Sequence, residues 1–229
     1  MNKENYIFQY QKKTLKIFND KREMPLGKIY CVGKNYLDHV MEMNDSDFNE
    51  PPFYFTKLEQ SITQEKKINF PENTNNLQYE VELVVYLKKK CRNIKINNVS
   101  DHILGYSVGI DLTKRDKQNA AKEKRQPWDL SKGFDNSAPI SKIIKKEGFL
   151  FDEGSISLNV NGQNRQSSNI FHMVWKVDEL ISWLSKFITL KAGDMIFTGT
   201  PAGVGRLVPK DKIDAEIENV GTLSFELTK

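Results

Sequence analysis

The sequence predicts a β-rich α+β fold with a few short helices. Short apolar segments bounded by turn-forming residues recur along the whole 229-residue chain, which is typical of strands. Helical spacing of apolar residues is clear in a single segment. A chain of this length has room for one domain with a sizeable core, so we expect one main domain.

Six apolar segments are the predicted strands. The segment 156–160 alternates apolar with polar residues and leads into Asn161 and Gly162, a pair that favours two-residue hairpin turns. Val220 and Gly221 give a second, weaker hairpin signal. The predicted strand segments are residues 29–32, 81–87, 103–112, 156–160, 195–198 and, within one C-terminal stretch, 213–227.

Two helices are predicted. The clearer one has a single apolar face that should pack on a sheet as core. That face consists of Val177, Leu180, Ile181, Leu184 and Phe187. The second helix spans residues 116–124, is stopped by Pro127, and is too polar for any face to be buried. Residues 1–27 lack strong patterning, so we interpret them as an N-terminal arm or small hairpin of uncertain role, followed by the main domain at 28–229.

Composition narrows the class of protein. It is 38% hydrophobic and 28% charged, which is typical of globular proteins, and no apolar run approaches the roughly 18 residues of a membrane helix. The N-terminus lacks a signal-peptide core, which predicts a cytoplasmic protein.

Cys31 and Cys91 are too far apart to suggest a short metal motif. The net charge of +4 comes from lysines spread along the chain, so we expect a small anionic substrate and no nucleic-acid partner.

Three carboxylates are candidate metal ligands. Glu80 and Glu82 lie two residues apart, and the period of a strand places both side chains on one face. A cation would relieve their repulsion, and oxygen ligands suit Mg²⁺, Mn²⁺ or Ca²⁺. Asp111 stands among apolar neighbours and needs a partner if it is buried. The alternative for the pair Glu80 and Glu82 is an exposed strand face with ordinary surface glutamates.

Other polar residues could act beside such a metal. On a helical turn His39 meets Glu42, and a carboxylate bonded to an imidazole makes it a stronger base for activating water. The guanidinium of Arg115 is suited to a substrate carboxylate, although a plain salt bridge with Asp116 is an alternative. Residues 198–205 form a glycine-rich loop that lets a ligand approach the backbone. The loop matches neither a Walker nor a dinucleotide-binding motif, which disfavours nucleotide binding.

Taken in order, these segments resemble the fumarylacetoacetate hydrolase family, particularly its short acylpyruvase and oxaloacetate decarboxylase branch. The resemblance covers nearly all of residues 28–229, and the ordered set of motifs is highly specific although each motif alone is weak. The motifs are Cys31-Val32-Gly33-Lys34-Asn35-Tyr36 with His39 and Glu42; Phe55-Thr56-Lys57; Tyr79-Glu80-Val81-Glu82-Leu83; Gly109-Ile110-Asp111-Leu112-Thr113 with Arg115, Asp116 and Gln118; Pro127-Trp128 with Lys132; and Thr198-Gly199-Thr200-Pro201 with Gly203-Val204-Gly205.

The resemblance implies a mixed β-sandwich roll, a homodimer, and Mg²⁺ or Mn²⁺ held by Glu80, Glu82 and Asp111. It also implies that His39 and Glu42 lie on a short lid helix that orders over the substrate. It further implies that Lys132 points into the site. Four other residues would contact the substrate or support the metal ligands, namely Arg115, Gln118, Lys57 and Thr200.

The expected function is Mg²⁺- or Mn²⁺-dependent hydrolysis of the C–C bond of acylpyruvates, which are 2,4-dioxo acids. Decarboxylation of oxaloacetate is a second reaction that the same site could perform. One alternative is the hydratase, isomerase or decarboxylase chemistry that relatives perform on 2-hydroxy-dienoate or 2-oxo acid intermediates. Outside enzymes, the alternatives are a catalytically silent metal-binding module and a basic RNA-associated domain.

Overall fold

Strands dominate the computed structural model, which describes residue 7, residues 11–42 and residues 50–229. The strands are Thr14–Lys16 (β1), Glu23–Pro25 (β2), Ile29–Gly33 (β3), Phe53–Lys57 (β4), Ile62–Thr63 (β5), Lys67–Asn69 (β6), Leu77–Tyr79 (β7), Val81–Leu87 (β8), Ile103–Ile110 (β9), Thr113–Lys114 (β10), Ala138–Pro139 (β11), Ile144–Lys145 (β12), Ser155–Val160 (β13), Gln163–Asn169 (β14), Met195–Phe197 (β15), Gly205–Leu207 (β16), Lys212–Ile217 (β17) and Gly221–Thr228 (β18). The α-helices are Leu37–Glu42 (α1), Arg115–Glu123 (α2), Asp129–Lys132 (α3) and Val177–Phe187 (α4). Short 3-10 helices span Glu59–Ser61, Ile96–Asn98, Ser100–His102 and Ile170–His172.

Two mixed sheets form the body of the fold. The six-stranded sheet has the order β12-β9-β8-β15-β3-β4, and the five-stranded sheet has the order β14-β13-β17-β18-β6. β15 runs parallel to β3 and β18 runs parallel to β6, while the other neighbours are antiparallel. The remaining short strands pair as β1-β2, β11-β5 and β10-β7-β16. The predicted β-rich α+β class is therefore confirmed.

β8 crosses the middle of the six-stranded sheet and is buried along its whole length. Leu83 and Val85 belong to the main core, which also contains Ile156 and Leu158 of the facing sheet. Residues 84 and 86, on the other face, belong to a second core. Burial on both faces explains why this strand reads as a nearly continuous apolar run. A charged residue in it, such as Glu82, is therefore buried as well.

Both predicted hairpins are present. Asn161 and Gly162 join β13 to β14 with φ values of 52° and 77°, the positive values that the hairpin turn requires. The second hairpin joins β17 to β18 through residues 218–220. Asn219 and Gly221 have positive φ values of 60° and 124°, and Val220 between them is buried. Asparagine adopts the left-handed conformation more readily than valine does, which makes Asn219 a further turn residue that the prediction did not include.

The helices differ from expectation at two points. In α4, Val177, Leu180, Ile181 and Leu184 are buried as predicted, but Phe187 is 65% exposed. Phe187 lies in the last turn and contacts the ring of Trp183 instead of the core. In α2, the expectation that no face is buried is wrong, because the polar residues Arg115 and Gln118 are only 5% and 2% exposed.

The N-terminal hairpin β1-β2 packs on the main body. Leu15, Ile17, Met24 and Leu26 are buried in the second core together with Tyr86. Whether residues 1–27 form a unit separate from 28–229 stays a prediction. In the described part of the chain, no helix has the length and apolar character that a membrane crossing requires.

Candidate active site

The three predicted ligand carboxylates converge where β8 and β9 meet. Glu80 stands in the break between β7 and β8, Glu82 lies on β8, and Asp111 directly follows β9. The antiparallel register pairs Val81 with Ile110, and the Asp111 amide donates to the Glu80 carbonyl at 2.8 Å. Each side chain offers one oxygen such that all three oxygens lie within 4.8 Å of one another. The exposed fractions are 5%, 2% and 0%, which excludes the alternative of surface glutamates.

Three basic side chains surround the carboxylates. Lys132 Nζ lies 2.7 Å from Glu80 Oε2 and 2.8 Å from Asp111 Oδ2, and it donates to Thr113 Oγ1 at 2.6 Å. Arg115 pairs with the other oxygen of Glu80. Two other guanidinium nitrogens of Arg115, Nε and Nη1, donate to the side-chain oxygens of Gln78 and Gln118. The alternative of a salt bridge between Arg115 and Asp116 is therefore wrong.

Lys57 lies behind Asp111 and is buried. Its Nζ is 2.8 Å from Asp111 Oδ1 and also donates to carbonyl oxygens, among them that of Ser137 at 3.2 Å. Asp111 Oδ1 nevertheless accepts no hydrogen bond of good geometry from the described residues. A fully buried carboxylate oxygen of this kind retains the capacity to ligate a cation.

The site shifts the pKa values of its carboxylates in opposite directions. Burial raises the pKa of Glu82, and the neighbouring charges of Asp111 and Glu80 raise it further. Burial also acts to raise the pKa of Glu80, but the charges of Lys132 and Arg115 outweigh it and hold that pKa below its usual range. Burial alone would lower the pKa of the Lys132 ammonium, but Asp111 and Glu80 raise it, so Lys132 stays charged. Of the two glutamates, Glu82 is therefore the one whose ionised form a bound cation would stabilise more.

The donor set fits a hard divalent cation. Carboxylate oxygens alone, in a buried cluster, match the ligands that Mg²⁺ and Mn²⁺ prefer. The short strand β10 and helix α3 bring Thr113 and Lys132 to the same cluster. Glu80, Glu82 and Asp111 would hold the ion, while the lysines and Arg115 would fix the orientation of their carboxylates.

His39 and Glu42 lie together on helix α1 at the edge of the same cleft. His39 Nδ1 is 3.0 Å from Glu42 Oε2, and Glu42 also accepts from the Gly203 amide at 3.1 Å. This contact fixes the imidazole ring, because the carboxylate is itself held by the glycine-rich loop. A short helix is therefore present over residues 37–42, and its role as a lid stays a prediction. Residues 43–49, which follow it, lie outside the described residues.

The glycine-rich loop contacts one of the candidate metal ligands. The Gly199 amide donates to Glu82 Oε2 at 2.7 Å. Gly199 has a φ of +95°, and a Cβ atom built on it would lie 2.7 Å from Cβ of Asn35. Asn35 is fully buried and donates to the Thr198 carbonyl at 2.7 Å. Glycine is thus required here for both its conformation and its size.

One residue of the site escaped the sequence analysis. Gln166 on β14 is fully buried and reaches from the five-stranded sheet to the site. Its oxygen accepts from the Val81 amide at 3.0 Å, and its nitrogen donates to Thr200 Oγ1 at 2.9 Å and to the Pro201 carbonyl at 2.8 Å. The feature of the sequence that could have identified Gln166 is its place as a polar residue at an inward-facing position of a hairpin strand.

One cleft collects eight of the ten residues singled out from the sequence. They are His39, Glu80, Glu82, Asp111, Arg115, Gln118, Lys132 and Thr200. The other two lie one contact away, since Glu42 holds His39 and Lys57 holds Asp111. The cleft thus brings together three candidate metal ligands, a candidate base and cationic side chains, a combination that suits reactions of a small carboxylic acid.

Comparison with known proteins agrees with this geometry. Residues 28–228 match the family model described as fumarylacetoacetate (FAA) hydrolase C-terminal. A fumarylpyruvate hydrolase of Ralstonia sp. is 39% identical over 77% of this chain and 92% of its own length. The oxaloacetate tautomerase YcgM of Escherichia coli K12 is 40% identical over 83% of this chain and 88% of its own.

A solved structure extends the similarity to the whole fold. The crystal structure of fumarylpyruvate hydrolase from Pseudomonas aeruginosa, in complex with Mn²⁺ and pyruvate, superposes with a TM-score of 0.94 at 35% identity. The superposition covers 98% of this chain and 99% of that chain. The predicted mixed β-sandwich roll is therefore confirmed.

Proposed function

The chain belongs to the fumarylacetoacetate hydrolase family, and from this premise we propose that it is an Mg²⁺- or Mn²⁺-dependent hydrolase of acylpyruvates. It would cleave the C–C bond between the acyl group and the pyruvate part of a 2,4-dioxo acid. The observation that carries the proposal is the single cleft in which His39 faces Glu80, Glu82 and Asp111. The Mn²⁺ and pyruvate bound by the Pseudomonas relative support the same choice of cation and product class.

The chemistry divides between the cation and the side chains. When bound, the divalent cation would polarise the carboxylate and 2-oxo groups of the substrate. His39 would take a proton from water, helped by Glu42, while the oxygen of that water adds to the acyl carbonyl carbon. The bond between C3 and C4 then breaks, and its electron pair stays on the pyruvate part as an enolate. Return of the proton to C3 gives pyruvate and a carboxylic acid.

The remaining polar residues would bind and orient the substrate. Lys132 carries a positive charge in the cleft, which would offset negative charge that develops on oxygen. Gln118 and Thr200 line the cleft and can hydrogen-bond to the substrate. Arg115 would act through Glu80 and Gln118, which its guanidinium already holds. Lys57 would act through Asp111, since it lies behind this ligand.

A second candidate function is oxaloacetate chemistry. The relative from Escherichia coli is named an oxaloacetate tautomerase, which supports keto–enol interconversion of oxaloacetate. This reaction joins the decarboxylation of oxaloacetate that was expected from the sequence. Both reactions pass through an enolate of a 2-oxo acid and need no attacking water. Hydratase or isomerase chemistry on hydroxydienoates is a third use of the same enolate-stabilising site.

We also propose that the protein works as a cytoplasmic homodimer without a nucleic-acid or membrane partner. The spread of basic residues and the small size of the cleft support a small anionic substrate. Size-exclusion chromatography with light scattering tests the dimer, and a mass of one chain, 26.5 kDa, would contradict it.

An activity screen tests the proposed function. The purified protein should cleave acetylpyruvate with Mg²⁺ or Mn²⁺ and lose the activity in excess EDTA, while oxaloacetate and a 2-hydroxydienoate report the other reactions. Asp111→Asn should abolish cleavage because one metal ligand is lost. Asp101→Asn is the matched control, since Asp101 is exposed in a 3-10 helix. Metal binding without turnover of any of these acids would instead favour a silent metal-binding module.

A further inference from the structure

A second cleft continues from the active-site cleft past helix α1. The two clefts share four lining residues, namely Gly33, Lys34, Val40 and Trp128. The second cleft has a volume of about 140 Å³. Its further walls are Glu50, Pro51, Pro52, Phe53, Val174 and Trp175. The continuity means that a molecule bound at the carboxylates can extend into this second cleft.

The walls of the second cleft are mainly apolar and held in place. Trp128 packs edge-on against Phe53, with ring centroids 5.1 Å apart. The backbone amide of Trp175 donates to Asn35 Oδ1 at 2.7 Å, and the Val174 amide donates to the Asn35 carbonyl at 2.9 Å. Asn35 is the same residue that holds the glycine-rich loop at Thr198. The cleft and the metal ligands are therefore positioned by one shared anchor.

The described walls of the second cleft do not favour a substrate that carries a second carboxylate at its distal end. Among the described lining residues one is basic, Lys34, and one is acidic, Glu50. The described lining residues therefore carry no net positive charge that would favour a carboxylate in the distal part of a substrate. Apolar and aromatic walls instead favour an uncharged hydrocarbon group.

The position of the cleft relative to His39 decides which part of a substrate would enter it. Val40, the neighbour of His39 on α1, lies on the boundary between the two clefts. In an acylpyruvate, the carbonyl attacked by water must face His39, and the acyl substituent is bonded directly to that carbonyl. The substituent therefore leaves the active-site cleft at Val40 and Trp128.

We propose that the second cleft binds the acyl substituent and makes this chain selective for acylpyruvates with an extended, uncharged, apolar acyl group. The proposal rests on the proposed function, because it concerns the substrate of the same site. A short acetyl group would leave the second cleft empty. A fumaryl group would bring a carboxylate to apolar walls, where burial of a charge is costly.

The test compares hexanoylpyruvate, acetylpyruvate and fumarylpyruvate at saturating Mn²⁺. Hexanoyl and acetyl groups have the same type of carbonyl, so differences in kcat/KM report binding of the four additional methylenes. Each fully buried methylene is worth about fourfold, and burial of two predicts a preference of at least about tenfold for hexanoylpyruvate over acetylpyruvate. Fumarylpyruvate should fall below hexanoylpyruvate.

The variant Val174→Trp places a larger side chain in a wall that belongs to the second cleft and not to the active-site cleft. It should lower kcat/KM for hexanoylpyruvate by about tenfold or more and leave acetylpyruvate within about twofold, which also shows that the variant is folded. Val208→Trp, in the turn after β16, is the matched control and should change neither value, since Val208 is already 46% exposed. If Val174→Trp does not fold, the ratio measured for the unmodified protein decides the matter.

The outcomes separate this inference from the proposed function. Cleavage of acetylpyruvate without any preference for hexanoylpyruvate overturns the acyl cleft and leaves the hydrolase proposal standing. Equal losses for both substrates in a Val174→Trp protein whose circular dichroism shows that it is folded also overturn it. Failure to cleave any of the three acids refutes the proposed function and the acyl cleft together.

Discussion

Lys132 balances the charge of the site at the level of a single residue. It is 3% exposed and pairs with both Glu80 and Asp111. Removing one partner of a buried ion pair commonly costs about 3–5 kcal/mol because the other charge is left uncompensated. The ammonium therefore stabilises the protein when no cation is bound.

Lys132→Met should lower the free energy of unfolding in EDTA by about 3–5 kcal/mol, and Mn²⁺ should restore part of the loss because the ion compensates the same carboxylates. Chemical denaturation with and without Mn²⁺ measures both effects. Lys89→Met is the control, since Lys89 is exposed. An identical loss in the presence and absence of Mn²⁺ would argue against this role of the lysine.

His39 permits a test of water activation. His39→Ala should reduce hydrolysis of acetylpyruvate by about 100-fold to 10,000-fold, the usual contribution of a general base. Decarboxylation of oxaloacetate should fall less, because loss of carbon dioxide needs no activated water. Both activities are compared at saturating Mn²⁺, with Asp111→Asn as the variant that loses every activity. Equal fractional losses in His39→Ala would mean that the residue serves closure or substrate binding instead.

At the level of elements, the break between β7 and β8 gives the site its shape. β7 ends at Tyr79 and β8 begins at Val81, so Glu80 belongs to neither strand. The Val81 amide at the break is satisfied by the side chain of Gln166. Since Gln166 also holds Thr200 and Pro201, one side chain ties the ligand strand to the glycine-rich loop. Gln166 therefore acts as a positioning residue for the strand β8 and the glycine-rich loop.

Gln166→Leu should leave buried polar groups of Val81, Thr200 and Pro201 without partners, at a cost of about 1–3 kcal/mol for each group left unsatisfied. We expect weaker Mn²⁺ binding in isothermal titration and a lower kcat. Gln163→Leu is the matched control on the same strand, because Gln163 is exposed and bonds only to Arg165 among the described residues. Unchanged Mn²⁺ affinity in Gln166→Leu would refute the positioning role, whereas a loss of stability alone would not establish it.

At the scale of the whole molecule, much of the fold and part of the site could be predicted from the sequence. The central strands were predicted because burial on both faces leaves apolar runs such as residues 81–87. The pairing of Glu80 with Glu82 followed from the two-residue period of a strand, and Asp111 was singled out as a carboxylate among apolar neighbours. The buried face of α2 was missed, because its buried residues are Arg115 and Gln118, which read as surface residues. Gln166 was missed because its partners lie 34 or more positions away along the chain.

The balance of charges around the carboxylates has a thermodynamic consequence. Glu80, Glu82 and Asp111, when ionised, are matched by Lys57, Arg115 and Lys132, which form ion pairs with two of them. A divalent cation adds two positive charges to this balance, and a dianion such as oxalate would cancel them. Cation and oxo acid should therefore bind as reciprocal effectors, each raising the affinity of the other by one common factor. Titrations of Mn²⁺ with and without oxalate, and of oxalate with and without Mn²⁺, measure that factor twice. A factor of one would mean that Mn²⁺ and oxalate bind independently. A large factor would mean that the fraction of protein with bound metal depends on the concentration of the oxo acid.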